Sequence, residues 1–337
     1  MRLNIAYATT HGWNIGDDFI RIGCERLLET IFPNHNHIIY DKSPYVRDIK
    51  GLVYEKCNNE FHGNSLQVLK HSKLKIDLMV VAGTPENSSD RMLKFFEVNQ
   101  KTPVIALAVG EPLNKPKTKF IQYFKRCGIL TVRSKGILGK YVEVFGDNIH
   151  YLPCTSLFWT DKMKQVDEVR KVALGWKCKE RTGLTYNSIP QKYYDKMISL
   201  YERLVSENKS IEFFIVCHHV DELKDAMEHF PNLDIRYHYD EHKYADIYWD
   251  ADFVITPKVH GCGCCASMGI GGAFLPTDFR SDTVDGFLST ISWDKDEICG
   301  AMMKGNEISE KLKTHKEESF SKYVELLEKW KKKIDFN

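Results

Sequence analysis

Asp252-Phe253-Val254-Ile255-Thr256-Pro257-Lys258-Val259-His260-Gly261-Cys262-Gly263 carries the clearest signature of the fold class. A short apolar run is closed by Thr256-Pro257, which marks a strand that stops. Small residues (Gly, Cys, Ala, Ser) follow from Gly261 to Ser267, and they let a short helix, read as His260 to Met268, pack closely on a strand. A strand running straight into a helix is the repeating half of a parallel α/β sheet.

Outward from this turn the same alternation recurs. Gly271 to Leu275 is a further strand. Upstream lie a helix at Val220 to Phe230, a strand at Ile211 to Cys217, a helix at Gln191 to Ser206 and a strand at Val172 to Trp176. His150 to Asp167, with Pro153 and a short aromatic run, interrupts the pattern and reads as an interdomain crossing. Before it come strands at Leu3 to Ala8, His37 to Tyr40, Ile76 to Ala82, Pro103 to Val109 and Gly128 to Val132. Helices at Gly16 to Phe32, Ser88 to Val98, Lys117 to Arg126 and Ser134 to Phe145 fall between them. Ile76 to Ala82 is too apolar to leave one face in water, so helices must cover both faces of its sheet. The tail from Ile308 to Ile334 is a long helix with an apolar stripe of Leu312, Phe320, Tyr323, Leu326, Leu327 and Trp330. The expected fold is therefore α/β, with two Rossmann-like doubly wound domains. The N-terminal domain spans 1-153 and the C-terminal one 168-303, followed by a C-terminal helix over 304-337. In such folds ligands lie beyond the carboxyl ends of the strands, which points to the cleft between the halves.

Composition bounds the function classes. Hydrophobic residues are 43% and charged residues 28% of the 337, as in an ordinary globular protein. Lys plus Arg number 47 against 46 for Asp plus Glu, a net charge of +1, so nucleic acid is not indicated by bulk charge. The N-terminus lacks the long apolar core of a signal peptide, and no run reaches the roughly 18 apolar residues of a bilayer span. The 10 cysteines are scattered, which suits reduced thiols and a cytoplasmic location rather than a disulfide framework. Cys262-Gly263-Cys264-Cys265 has no second spaced ligand pair, so no metal site is read there.

Four turns carry candidate chemistry. Asn14-Ile15-Gly16-Asp17 follows the first strand and opens a helix, where free amides favour anions or hydroxyls. Asp17 suits either a helix cap or a sugar hydroxyl. His11 and Trp13 share its loop. Gly83 ends the buried strand Ile76 to Ala82, at a common place for a ligand loop or a plain turn. Arg133 stands at the end of another strand, where its planar fork suits carboxylate or phosphate; a salt bridge at a helix cap is the other reading. In the fourth turn Lys258 and His260 enter a helix two residues apart, and Arg280 follows the next strand. Cations, helix-start amides and a titratable His together suit a phosphorylated donor.

In this order, the motifs resemble those of the polysaccharide pyruvyl transferase family, over roughly residues 1 to 290. Asn14-Ile15-Gly16-Asp17 matches an N-x-G-D turn, Gly83 stands where a Gly-rich loop begins, and Arg133 matches a strand-end Arg. Lys258-Val259-His260-Gly261 matches an R-x-H-G turn with Lys in the Arg place, and Phe279-Arg280 stands where a Lys is expected. The loop keeps a single glycine, and Ser134 replaces the usual Asp after Arg133. The resemblance implies a GT-B-like fold and transfer of a pyruvyl group from phosphoenolpyruvate to a sugar of a glycan. It implies His260 as general acid, Arg133, Lys258, Arg280 and Gly261 as donor-binding residues, and Asn14, Gly16, Asp17 and Gly83 on the acceptor side. No cofactor is implied; the partners are an anionic small-molecule donor and a sugar or glycan acceptor. Two alternatives stay open: a GT-B glycosyltransferase using a nucleotide sugar on a glycan or modified nucleic-acid base, and a non-catalytic sugar- or anion-binding protein.

Overall fold

Strands that are apolar on both faces have nowhere to go but the middle of a layered sheet. In the computed structural model Leu78–Ala82 and Val104–Val109 are buried at every residue, and they occupy the centre of the first of two parallel six-stranded sheets. The structure describes residues 3–9, 15–41, 75–83, 93, 96–97, 100–110, 118–179, 188–277 and 280–334.

The first sheet is built from β1 (Asn4–Thr9), α1 (Ile15–Ile31), β2 (Asn36–Asp41), β3 (Leu78–Ala82), β4 (Val104–Val109), α2 (Thr118–Phe124), β5 (Cys127–Val132), α3 (Lys135–Phe145) and β6 (Ile149–Tyr151). Its order is β2-β1-β3-β4-β5-β6, with Tyr7 beside Val80 and Val80 beside Ile105 in the central register. The chain reverses its direction of growth between β1 and β3, so a crevice opens at their carboxyl ends. One side of this sheet packs Met79, Val81, Phe96, Ala106, Phe124, Leu130 and Ile137 into a single core.

The second sheet uses β7 (Lys171–Gly175), the small pair β8 (Cys178–Lys179) and β9 (Ser188–Ile189), α4 (Gln191–Glu207), β10 (Glu212–Val216), α5 (Val220–His229), β11 (Asp234–Arg236), α6 (Tyr244–Trp249), β12 (Phe253–Thr256), α7 (Val259–Ser267), β13 (Gly271–Phe274), α8 (Ser281–Asp285), β14 (Thr290–Ile291), α9 (Lys295–Met302) and α10 (Gly305–Lys331). The six main strands run β11-β10-β7-β12-β13-β14, which puts the switch point between β7 and β12. The fold class is thus the expected one: α/β, with two doubly wound parallel sheets.

The chain divides into two compact units, residues 1–159 with 318–337, and residues 160–317. The division cuts α10. Up to Glu317 it belongs to the second unit, where Ser309 Oγ donates to the Lys164 carbonyl at 3.2 Å. From Glu318 it belongs to the first, where Tyr323 donates to the Pro153 carbonyl at 2.8 Å and Phe320 meets Phe158 edge-on. The tail read as a separate element thus completes both units. The other local difference is β6: Ile149–Tyr151 pairs with β5, although the stretch from His150 read as interdomain crossing. Three residues are too few for any periodicity to show.

A buried carboxylate anchors the second core. Trp176 Nε1 and the Tyr194 hydroxyl both donate to Asp225 Oδ2 at 2.8 Å, inside a cluster that includes Leu174, Met197, Tyr201 and Phe230. Hydrogen bonds to charged groups contribute about 1.5–3 kcal/mol. Tyr194→Phe should therefore lower the urea midpoint of the second unit by an equivalent amount without changing the slope; an unchanged midpoint would mean that the Trp176 bond alone satisfies Asp225.

Candidate functional site

The second unit places the strongest candidates at its switch point. Gly175 ends β7 and Thr256 ends β12, and a Cβ on Gly175 would lie 2.0 Å from Thr256 Oγ1, so the two strand ends touch only because position 175 has no side chain. Thr256 Oγ1 accepts from the Lys258 amide at 3.1 Å, which sets the turn into α7. Lys258 is the N-cap of α7, in extended conformation, and its carbonyl takes the Gly261 amide at 3.0 Å. His260 sits half-buried in the first helical turn. Gly261 lies over Thr256 and the Tyr248 hydroxyl, with room for no larger residue at ease.

The Lys258 ammonium pairs with Glu222, a residue that the sequence reading did not single out. Glu222 is 1% exposed and is the third residue of a capping box: its carboxylate accepts the His218 amide at 2.7 Å and the His219 amide at 3.2 Å, while His219 caps α5. Next to it His218 Nε2 meets the Tyr248 hydroxyl at 2.6 Å. Burial pushes the His218 imidazole well below the ordinary histidine value; Lys258 and then His260 push the same way. His218 is therefore a neutral ring within electrostatic reach of His260. A His-x-x-Glu spacing at a strand end, His219 to Glu222, is a capping-box signal. Tyr248 had no local signal, because it arrives from α6.

Cys262, Cys264 and Cys265 are buried in α7. Burial pushes the Cys262 thiol up to about 12 and those of Cys264 and Cys265 well above their usual value, so these are packing groups in the neutral form. Arg280 is the N-cap of α8, just past β13, on the same carboxyl edge of the sheet as Lys258. Phe279 lies outside the described residues.

The first unit gathers another set at its own switch point. Gly16 and Asp17 open α1, and Thr9 at the end of β1 donates its hydroxyl to the Asp17 carbonyl at 3.4 Å. Asp17 lies inside the first helical turn, partly exposed. The buried acid here is Asp18, fully enclosed and paired with Arg21 at 3.2 Å. Gly83 follows β3 with φ +77°, a left-handed conformation that favours glycine, and an added Cβ would stand 3.1 Å from Ile20 of α1. Gly16, Asp17 and Gly83 thus share one end of β1 and β3. Asn14, His11 and Trp13 lie outside the described residues. Arg133 follows β5 on the same edge; its amide donates to the Val109 carbonyl at 3.1 Å, and the residue is 7% exposed, with Nη1 3.8 Å from Cys154 Sγ. Arg133 belongs to the first unit; Lys258, His260, Gly261 and Arg280 belong to the second.

Among the described residues no helix is long and apolar enough to cross a membrane. No curated protein matches the chain by sequence. Several solved structures share its fold at low identity. S. aureus MnaA in a UDP co-structure aligns at TM-score 0.58 and 12% identity, over 92% of this chain and 91% of that one. A Listeria monocytogenes protein assigned as a UDP-N-acetylglucosamine 2-epimerase aligns at TM-score 0.61 and 11% identity, over 100% and 98%. The UDP-GlcNAc 2-epimerase from Neisseria meningitidis bound to UDP-GlcNAc aligns at 0.55 and 11%, over 98% and 100%. These likenesses make the fold GT-B-like. The polysaccharide pyruvyl transferase family model matches residues 14–278, more than half of the chain and both candidate switch points, and the chain belongs to that family, whose members are glycan-modifying transferases.

Proposed function

We propose that this protein transfers a pyruvyl group from phosphoenolpyruvate to a sugar of a glycan, forming a cyclic ketal. The observation that carries the reading is the Lys258-Val259-His260-Gly261 turn at the switch point of the second sheet. There Lys258 caps α7, and the first-turn amides and the half-buried His260 follow it directly. Helix-start amides favour phosphate and carboxylate, and Arg280 adds a second cation on the same edge. Lys258 is held by Glu222, so its ammonium is positioned before any donor arrives. The donor anion shares the cation with that carboxylate, while the α7 amides take part of the anionic charge.

In the proposed reaction His260 protonates the methylene carbon of phosphoenolpyruvate, turning it into a methyl group and leaving C2 electron-poor. One sugar hydroxyl adds to C2, and a second displaces phosphate. The two hydroxyl protons balance the one given to carbon and the one leaving with phosphate. Arg133 is proposed to bind donor charge, and Gly16, Asp17 and Gly83, with Asn14, to bind the acceptor.

A nucleotide-sugar glycosyltransferase is the second reading. It is supported by the UDP and UDP-GlcNAc found in proteins of the same fold. A thermal-shift panel separates the two. Phosphoenolpyruvate at about a hundredfold above its dissociation constant should stabilise the fold by about 2.7 kcal/mol. Stabilisation by UDP-GlcNAc but not by phosphoenolpyruvate would replace the proposed donor; response to neither would leave the sugar-binding reading. Every described cysteine is a free thiol, which supports a reducing, cytoplasmic setting for the enzyme.

A further inference from the structure

Away from both switch points, the far end of α1 and the start of edge strand β2 bring three metal-competent side chains together. Glu29, His35 and His37 each offer one ligand atom within 4.8 Å of the others. His35 Nδ1 lies 3.2 Å from Glu29 Oε2, and His37 Nε2 lies 3.7 Å from that same oxygen. Donors held at about 2.0–2.2 Å around a tetrahedral zinc ion stand roughly 3.3 Å apart. The observed spacings bracket that figure.

The surroundings hold the set in place. Glu29 Oε1 accepts the Asn34 amide at 2.8 Å, which leaves Oε2 facing the two rings. Asn34 adopts φ 62°, and this left-handed turn after Pro33 swings His35 back toward α1. The rings of His35 and His37 are 4.1 Å apart, and Tyr7 stacks on His37. Glu25 is 3.8 Å from His37 Nδ1 but is already engaged by Arg21 at 2.6 Å, so it orients the ring from outside.

We propose that Glu29, His35 and His37 bind one first-row divalent cation, with zinc favoured by the two-imidazole, one-carboxylate donor set. Calcium and magnesium take oxygen ligands and are disfavoured here. His35 Nδ1 faces the Phe32 carbonyl at 2.9 Å, and its Nε2 faces the Tyr7 hydroxyl at 2.7 Å. Binding through Nδ1 gives up the Phe32 bond and puts the ring proton on Nε2, where it donates to Tyr7. A ligating histidine whose other nitrogen donates to an oxygen is the usual outer arrangement of such sites. The half-exposed Glu29 and His37 leave the remaining coordination position open to water. The ion would pin α1 to β2 at the amino end of the edge strand, remote in the sheet from the strand ends that carry the candidate chemistry.

The test uses the full chain stripped with EDTA and titrated with Co2+, followed by Zn2+ competition and Zn2+ calorimetry. The expected result is one equivalent bound, a visible Co2+ spectrum of nitrogen and oxygen ligation, and displacement by Zn2+. His37→Ala and Glu29→Gln alter partly exposed side chains; each should keep the wild-type melting temperature in EDTA and lose the Zn2+-induced rise. Tyr7→Phe should weaken binding by about 10–100-fold, the usual loss for an outer partner, and His37→Ala by at least as much. The proposal is overturned if no Co2+ or Zn2+ binds, if His37→Ala and Glu29→Gln bind as wild type does, or if the spectrum shows thiolate-to-cobalt charge transfer, which would place the ion on cysteines.

Discussion

His260→Ala is expected to lower turnover of phosphoenolpyruvate by about 10²–10⁴-fold while leaving donor affinity nearly unchanged. The split follows from what each group does. In the proposed site Lys258, Arg280 and the α7 amides would meet charge that the donor already carries in the ground state, so their contribution would appear in binding. A proton delivered to carbon matters only on the way to the transition state, so its loss appears in kcat. His260 sits in the first turn of a nine-residue helix whose packing face is made by Cys262, Cys264 and Cys265, and it is itself half-buried rather than core. The variant should therefore fold, and circular dichroism with a melting curve would establish that before kinetics. Phosphate release and donor titration by calorimetry supply the two readouts. Turnover within a few-fold of wild type would make His260 a structural residue at a helix start, and the nucleotide-sugar reading would become the better one.

Glu222→Ala should destabilise the second unit by about 3–5 kcal/mol, the usual loss when one partner of a buried ion pair is removed. The Lys258 side chain is 11% exposed and that of Glu222 2%, so water screens the pair poorly. Truncation strands a buried ammonium and also removes the acceptor of the His218 and His219 amides. The control is Glu222→Leu combined with Lys258→Met, which replaces the pair by apolar groups of similar size. Most of the lost stability should return in that double variant, while any donor binding that depends on Lys258 should not. Urea denaturation followed by a probe in the second unit measures the first effect, and ligand-induced thermal shift measures the second. A loss below about 1 kcal/mol in Glu222→Ala, the range of solvent-screened surface pairs, would show that the contact is an exposed bridge after all. Recovery of donor affinity in the double variant would show that Lys258 is a structural pin and leave the α7 amides and Arg280 to hold the anion.

Strand–helix alternation was legible because burial on both faces forces continuous apolar runs, and Ile76 to Ala82 and Pro103 to Val109 display them without ambiguity. The turns were legible for the same reason: Gly83 and Arg133 directly follow such a run, and Lys258 and His260 lie in the turn and first helical residues after another. Elements of two or three residues, such as β6 and β11, carry no period and were invisible until they paired. α10 read as a plain amphipathic helix; that its stripe serves one unit through Leu312 and another through Tyr323 and Trp330 depends on contacts far apart in the chain.

Fold class, family and the strand-to-helix turns that carry the described candidates follow from local pattern and order, and all three were open to reading in the amino-acid sequence. Which side chains stand beside one another was settled by tertiary packing. It paired Lys258 with Glu222, 36 residues upstream, put Tyr248 against His218, and closed Glu29, His35 and His37 around one point. Strand order brings the ends of β10, β7 and β12 side by side although β7 comes first and β12 last, and side chains meet there by sheet neighbourhood rather than by sequence distance. A charge's partner is set by that neighbourhood, and with it whether a lysine is free to hold a ligand or is already held itself.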